Sequence, residues 1–167
     1  MPIEIRPGRV ADIPGTRACL DVVARERRYL AMIEAPAPES SLAWWSGMIE
    51  RGWPFEIAVA DDAGGTRVVG WCDITPEHHV VHRHAGLLGM GLHPDIRGQG
   101  VGKRLLSATL DDARRFGLER IELSVYQSNQ RARRLYESVG FVAEGVRRRH
   151  RKLDGVYEDS TLMALLF

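Results

Sequence analysis

Residues 90–106 read "MGLHPDIRGQGVGKRLL" and place four glycines and one proline within thirteen positions, directly before a helical pattern. Glycine lets successive backbone N–H groups face outward without a Cβ in the way. The first N–H groups of a helix lack intrahelical acceptors and lie at the positive end of its dipole. The stretch therefore predicts an anion site for phosphate or pyrophosphate, to which Arg97 can add charge-assisted hydrogen bonds.

Two known phosphate motifs do not fit this turn. A P-loop needs four residues between its first glycine and Gly-Lys, followed by Ser or Thr; here three residues separate Gly98 from Gly102, and Arg104 follows Lys103. A dinucleotide fingerprint needs a third glycine, which Lys103 or Leu105 replaces. A glycine-rich turn without a ligand is the remaining alternative.

Hydrophobic periodicity predicts the element order β-α-α-β-β-β-α-β-α-β-β, which we expect to form one domain over residues 1–167. The predicted strands are residues 3–6, 54–62, 66–74, 84–93, 120–126 and the two arms of a hairpin within 141–167. The predicted helices open near Asp12 and Pro14, at Ser40 or Ser41, and after the glycine turn, and the last spans 129–139. The strand–helix–strand unit at 85–126 predicts a parallel strand pair. The Asp-Gly pair at 154–155 predicts the hairpin turn.

Composition bounds the partners and the compartment. The chain has 23 Lys and Arg against 22 Asp and Glu, a net charge of +1, which gives no electrostatic reason to expect nucleic acid. No apolar run approaches the ~18 residues of a membrane span, and the first residues lack the pattern of a signal peptide. Cys19 and Cys72 stand in no metal or C-x-x-C spacing, which predicts core thiols in a reducing compartment. We expect a cytoplasmic protein without a nucleic-acid or membrane partner.

A second block, "SNQRARRLYESVGF" at 128–141, follows the glycine turn after one helix and one strand. Together with Arg97-x-x-Gly100-x-Gly102 it resembles the two signatures of the GNAT superfamily of acyl-CoA-dependent N-acyltransferases. The likeness covers the whole chain and is sharp over 84–141; the closing hairpin resembles members that acetylate free amino acids or protein N-termini. It implies an α+β (α/β three-layer) fold. The expected sheet is mixed and mostly antiparallel, with a splayed parallel strand pair and helices on both faces.

The resemblance implies acetyl-CoA as co-substrate and no metal. The pyrophosphate of acetyl-CoA is expected on the glycine turn, and its pantetheine arm is expected along the preceding strand. Asn129 is expected to bind the arm from across the cleft, and a basic residue such as Arg133 is expected near the 3′-phosphate. Glycines at 86, 89 and 91 independently indicate a bulge or the close approach of another chain. The expected cofactor-binding residues are Met90, Gly91, Leu92, Arg97, Gly98, Gln99, Gly100, Val101, Gly102, Lys103, Asn129 and Arg133.

The resemblance also implies direct attack by an amine in a ternary complex. Tyr136 matches the family's acid, which protonates the leaving thiolate; a core tyrosine on an apolar helix face is the alternative. The strand before the turn has no acid where several relatives carry a glutamate. His84 is the first candidate for the general base and Glu77 the second, with ordered water as the third.

Two charged runs have ordinary interpretations. "EHHVVHRH" at 77–84 suggests a metal through His82 and His84, but no matching ligand set stands elsewhere, which predicts a solvated loop or the rim of the acceptor site. "RRRHRK" at 147–152 precedes a turn and alternates between two faces, which predicts a solvated strand.

The acceptor pocket is expected between residues 25–53 and 148–157. Trp44, Trp45 and Trp53 would form apolar walls, and Arg27 or Arg28 would hold a carboxylate. An amino acid or similar small amine is the first expectation for the acceptor. The alternatives are an antibiotic or herbicide amine, a ribosomal protein N-terminus, and, from other classes, a non-catalytic acyl-CoA sensor or an interaction domain. Dimers are common in the family, so a homodimer is a further expectation.

Overall fold

Seven strands and four α-helices make up the part of the chain, residues 2–62 and 65–167, that the computed structural model describes. The strands are β1 (Ile3–Pro7), β2 (Phe55–Asp62), β3 (Gly65–Pro76), β4 (Ala85–Leu92), β5 (Arg120–Tyr126), β6 (Val142–Leu153) and β7 (Val156–Leu166). The helices are α1 (Ile13–Arg25), α2 (Pro38–Glu50), α3 (Val101–Phe116) and α4 (Gln130–Glu137). The predicted element order is confirmed; the predicted turn at 61–65 lies partly outside the described residues.

All seven strands form one sheet in the order β1-β2-β3-β4-β5-β7-β6. Every neighbouring pair is antiparallel except β4 and β5, which run parallel. That parallel pair is joined over three residue pairs, Ala85–Leu87 with Arg120–Glu122. The predicted mixed sheet with a splayed parallel pair is therefore confirmed.

Two apolar cores lie on opposite faces of the sheet. Helices α3 and α4 pack on one face, where Leu105, Ile121 and Tyr136 belong to the same buried cluster. Helices α1 and α2 cover the other face over β2 and β3, with Trp45 and Trp71 in that cluster. Cys19 and Cys72 are both buried and free, as predicted for core thiols. Within the described residues, no helix has the length and apolar character needed to cross a membrane.

Local chemistry explains the element boundaries. Gly117 ends α3 with φ +101°, and Asp154 and Gly155 form the β6–β7 turn with φ +49° and +80°, so the Asp-Gly hairpin prediction is confirmed. The predicted start of α2 at Ser40 or Ser41 is wrong. The helix begins at Pro38. The fixed φ of proline suits the first helical position, and the N–H that proline lacks would find no intrahelical acceptor there.

Candidate active site

The site is a split in the sheet between β4 and β5. The two strands part after Leu87 and Glu122, while β4 stays paired with β3 as far as Leu92 and β5 with β7 as far as Tyr126. Because the strands are parallel, the helices that follow them, α3 and α4, both begin at the open end of the split. The turn before α3 and the first turn of α4 therefore lie close together. A Cβ on Gly98 would stand 2.8 Å from Arg131 Nη2 of α4.

The second half of β4 has one bonded edge and one free edge. The N–H of His93 donates to the Val69 carbonyl of β3 at 2.8 Å. Since successive residues of a strand direct their backbone groups to opposite edges, the groups of Met90 and Leu92 point into the split. The Leu92 carbonyl accepts there from Arg97 Nε at 2.9 Å. Met90 therefore presents its N–H and C=O to the open split, where an extended ligand can pair with them.

The glycine turn forms a cradle at the start of α3. Gly98 and Gly100 have φ of +80° and +78°, in the left-handed region that favours glycine. A Cβ on Gly100 would meet no atom within 4 Å, and Gly100 precedes α3 without any side-chain cap. The first N–H groups of α3 thus face open space at the positive end of the helix dipole, the geometry that binds phosphate.

The Arg97 side chain stabilises this turn through contacts with other parts of the protein. Its guanidinium donates to Glu26 at 2.8 Å, to the Leu92 carbonyl, and lies over the Tyr29 ring at 5.0 Å. The sequence predicted that the Arg97 side chain binds the phosphate; in the structure its donors serve these protein partners. Its N–H is also taken, by the Pro94 carbonyl at 3.3 Å. Arg97 instead fixes the turn to the end of α1.

On the other side of the split, Asn129 caps α4. Its Oδ1 accepts from the Ala132 N–H at 3.2 Å, and its amide nitrogen can still donate to a ligand. Arg133, which the resemblance implied near the phosphate, donates instead to Glu137 at 2.9 Å, one helical turn away. Arg131 of the same helix is the arginine that reaches the glycine turn.

Tyr136 lies on the core face of α4 beneath the split. It is 8 % exposed and packs on Phe141, with 5.7 Å between ring centroids. Burial, with a smaller contribution from the Cys72 thiol, raises the pKa of the Tyr136 hydroxyl. Cys72 is paired across the strands with Met90, so this hydroxyl belongs to the same part of the split as the free edge of β4. It is a neutral group that holds a proton to donate.

The two candidate bases from the sequence lie at the other end of β4. His84 is exposed just before the strand, and its carbonyl accepts from the Glu119 N–H at 2.8 Å. Glu77 is also exposed, and its N–H donates to the Ala85 carbonyl at 2.9 Å. Met90 lies six positions beyond His84, which is roughly 20 Å along a strand. The structure therefore does not bring His84 or Glu77 together with the glycine turn and Tyr136.

A carboxylate that the sequence reading missed lies at the split. Asp73 of β3 is 9 % exposed, and Trp45 Nε1 of α2 donates to its Oδ2 at 3.2 Å. A Cβ on Gly89, its cross-strand partner in β4, would stand 3.2 Å from Oδ1. Burial raises the pKa of the Asp73 carboxyl to about 6, against the opposing effect of the Trp45 hydrogen bond. The signal was an acid within the otherwise apolar strand "VVGWCDI".

A model of the acetyltransferase (GNAT) family matches residues 22–141, which contain the turn, the split and α4. The chain belongs to the GNAT acetyltransferase family. It is 38 % identical over 74 residues to YycN, an uncharacterized N-acetyltransferase of Bacillus subtilis, covering 44 % of this chain and 47 % of YycN. It is 36 % identical over 86 residues to the ribosomal protein bS18-alanine N-acetyltransferase of Escherichia coli, covering 52 % and 58 %. The matches thus span about half the length of these curated relatives.

Solved structures of GNAT proteins share the fold over the whole chain. A GNAT acetyltransferase of Streptococcus pneumoniae superposes with a TM-score of 0.89 at 24 % identity, covering 99 % of this chain and 100 % of that one. A GNAT phosphinothricin acetyltransferase of Sinorhizobium meliloti, solved with AcCoA, gives 0.90 at 19 % identity, covering 100 % and 89 %. At these identities the likeness shows the fold, which confirms the predicted GNAT architecture.

Where the acceptor pocket was predicted, hydrogen bonds join the α1–α2 loop to the β6–β7 hairpin. Arg27 donates to both oxygens of Asp154, at 2.9 and 2.8 Å. Arg151 donates to the Arg27 carbonyl and, at 3.1 Å, to Glu158. The prediction that residues 147–152 form a solvated strand therefore fails at Arg151. Arg27, expected to hold a substrate carboxylate, is already paired, which leaves Arg28 from that prediction.

The tryptophans expected in the pocket have different surroundings. Trp45 is 3 % exposed and stacks on Phe55, Trp53 lies 5.2 Å beneath the Arg51 guanidinium, and Trp44 is half exposed. Of these three tryptophans, Trp45 is the one that donates a hydrogen bond to Asp73.

The histidine-rich loop groups different residues from those that the sequence suggested. Ligand atoms of Glu77, His78 and His79 lie within 4.8 Å of one another, and all three residues are exposed. His82 and His84 lie outside this group and are exposed as well. The group is remote from the split, at the end of β4 where His84 lies.

Proposed function

We propose that this GNAT protein is an acetyl-CoA-dependent N-acetyltransferase. It transfers acetyl to the primary amine of a small molecule by direct attack in a ternary complex, with residues 1–167 acting as one domain. One observation carries the proposal: the open cradle at Gly100 follows the free β4 edge at Met90 on the same side of the split. A diphosphate with an extended amide-bearing arm and a thioester end matches that shape.

The residues present fit this co-substrate. Gly100 leaves open space where a diphosphate would lie, against the unpaired N–H groups of Val101, Gly102 and Lys103. The Arg131 guanidinium is the cation beside the turn. The backbone of Met90 and the amide nitrogen of Asn129 stand on opposite sides of the split and can bind the arm between them. Bound acetyl-CoA would supply the thioester carbon that the amine attacks.

Tyr136 and Met90 have separate tasks in the proposed transfer. The buried Tyr136 Oη keeps its proton at neutral pH and delivers it to the departing sulfur. The Met90 N–H points into the split and can stabilise the charge that develops on the carbonyl oxygen. Both groups come from rigid elements, a helix and a strand.

We propose a small amine, an amino acid first, as the acceptor. The Arg27–Asp154 and Arg151 contacts tie the α1–α2 loop to the hairpin, the two segments between which we expect the acceptor pocket. That favours a small molecule over the terminus of a folded protein. The names of two similar proteins specify other acceptors, an alanine of ribosomal protein bS18 and phosphinothricin, and both belong in the test.

The test is release of free thiol from acetyl-CoA against a panel of amines. The panel holds the twenty L-amino acids, phosphinothricin and short peptides with an N-terminal alanine. We expect amine-dependent thiol release with at least one amino acid and a product that is heavier by one acetyl group. Tight acetyl-CoA binding without release for any amine would instead support the acyl-CoA sensor, and absence of binding would refute both.

A further inference from the structure

Asp73 lies beside the point where β4 and β5 separate. One of its carboxylate oxygens already accepts a hydrogen bond, and the other is free to accept one. Trp45 Nε1 donates to Oδ2, and Oδ1 is the atom that faces Gly89. Gly89 is the second residue after the parallel pairing ends at Leu87. Because Gly89 has no side chain, Oδ1 lies over bare β4 backbone, one residue from Met90. This places a carboxylate oxygen next to the position proposed for the thioester.

Among the described residues, no charged group lies close enough to Asp73 to affect its pKa. Its neighbours on the packed elements are Trp45 of α2, Phe55 of β2 and Gly89 of β4, none of which titrates. Cys72, which adjoins Asp73 in β3, and Glu56, which pairs with Cys72 across the strands, face the opposite side of the sheet. A buried carboxylate without a cation is costly, so the site is complementary to a ligand that carries a positive charge.

Asp73 and Tyr136 approach the split from opposite faces of the sheet. Asp73 belongs to the α2 face with Trp45, and Tyr136 to the α4 face with Cys72. A proton acceptor on β3 thus lies on one face of the sheet, and a proton donor on α4 lies on the other. A pKa of about 6 leaves Asp73 ionised at neutral pH and still basic enough to take a proton.

We propose that Asp73 binds the protonated amine of the acceptor through Oδ1 and acts as its general base, with Trp45 as the positioning residue for its carboxylate. This inference rests on the proposed acetyltransferase function. It assigns the acceptor class as a primary ammonium, and it moves the base from His84 and Glu77 to the middle of β3.

The protons in the proposed acetyl transfer balance. One proton of the ammonium passes to Asp73 and then to water. The nitrogen lone pair forms the C–N bond as the C–S bond breaks. The second N–H proton passes from nitrogen to water, and Tyr136, which has given its proton to sulfur, recovers one from water. The ammonium ion and the thioester thus become amide, free thiol and one released proton.

Asp73→Asn tests the proposal with a matched control, Glu56→Gln. Asparagine keeps an oxygen that can accept from Trp45, so the fold is expected to survive. Glu56 is a second buried carboxylate, 4 % exposed, whose pKa burial raises to about 7, but it faces α3. With acetyl-CoA and the best amine of the panel, Asp73→Asn should lower kcat/KM for the amine at least about a hundredfold. Acetyl-CoA affinity should stay within about twofold.

The pH profile and a weakly basic nucleophile separate a base from a packing residue. In the wild-type protein and in Glu56→Gln, kcat/KM should fall below about pH 6. In Asp73→Asn that limb should vanish, leaving only the amine's own titration. The aminooxy analogue of the same amine is neutral near pH 7 and should recover most of the lost rate. An unchanged acidic limb, or equal losses for both nucleophiles, would overturn the proposal.

A measurement on the unchanged protein covers the case in which Asp73→Asn does not fold. The indole N–H of Trp45 reports the ionisation of Asp73 in a nuclear magnetic resonance titration. Adding the amine with free CoA should move that titration to lower pH, because an ammonium favours the carboxylate. No movement would overturn the role of Asp73 while leaving acetyl transfer intact. If no amine supports thiol release, the proposed function itself fails, and this inference fails with it.

Discussion

Gly100 and Gly117 stand directly before and after α3 and offer a matched pair of substitutions. Their φ angles are +78° and +101°, and a Cβ on either would meet no atom within 4 Å. An L-residue in this region costs about 1–2 kcal/mol. Gly100→Ala and Gly117→Ala should therefore lower stability alike, by about 2–8 °C in Tm for a chain of this size.

Only Gly100→Ala should weaken acetyl-CoA binding. The added methyl group stands in the open space that the proposal gives to the diphosphate, whereas Gly117 lies at the far end of a 16-residue helix. We expect at least about a tenfold rise in Kd for Gly100→Ala, or about 1.4 kcal/mol, and little change for Gly117→Ala. Isothermal titration with acetyl-CoA measures the affinity, and differential scanning calorimetry measures the stability.

Equal affinities for the two variants would refute the reasoning, because the turn would then not be the phosphate site. Gly102 is a poorer probe. A Cβ there would stand 3.0 Å from Leu92 Cδ1 and 3.3 Å from Leu135 Cδ2, so a loss of packing would accompany any loss of binding.

Three further substitutions probe the acid, the core and the pH dependence. Tyr136→Phe keeps the packing on Phe141 and removes the proton donor, so turnover should fall about 10²–10⁴-fold at unchanged Tm; a loss of only a few-fold would exclude Tyr136 as the acid. The Ser41 hydroxyl is 3 % exposed and has no hydrogen-bond partner among the described residues, so Ser41→Ala should raise stability by roughly 1 kcal/mol; a fall in Tm would contradict this. The Arg6 guanidinium holds the pKa of Asp12 below its usual range, so this pair stabilises the fold above about pH 4 and less as the pH falls through the lower folded value. Arg6→Gln should therefore lower Tm near pH 7 and converge with the wild-type protein in acid, whereas a constant difference would contradict the pairing.

The element order and the parallel pair follow from signals that act over a few residues. Glycines with left-handed φ ended or preceded helices where predicted, and an Asp-Gly pair made the hairpin turn. A strand–helix–strand unit with a short connection left few topologies other than a parallel pair. The predicted start of α2 was wrong because two local signals, Pro38 and the serines that can cap a helix, indicate different first residues. The helix begins at Pro38.

The residues proposed for catalysis were harder to predict, because their roles depend on which side chains come close in space. His84 and Glu77 precede the glycine turn closely in sequence, yet an extended strand separates them from it by roughly 20 Å. Asp73 lies further from the turn along the chain, but antiparallel pairing sets it against Gly89 and α2 brings Trp45 to its carboxylate. Arg97 matched a phosphate motif, and only the folded chain shows its partner, Glu26.

A crystal structure of the protein with acetyl-CoA would test the central claim most directly. The account predicts diphosphate oxygens within hydrogen-bond distance of the N–H groups that open α3 at Gly100. It also predicts an arm along β4 at Met90 and an acetyl group between Asp73 and Tyr136. Density for the coenzyme anywhere other than this split, or with its diphosphate away from the turn, would contradict it.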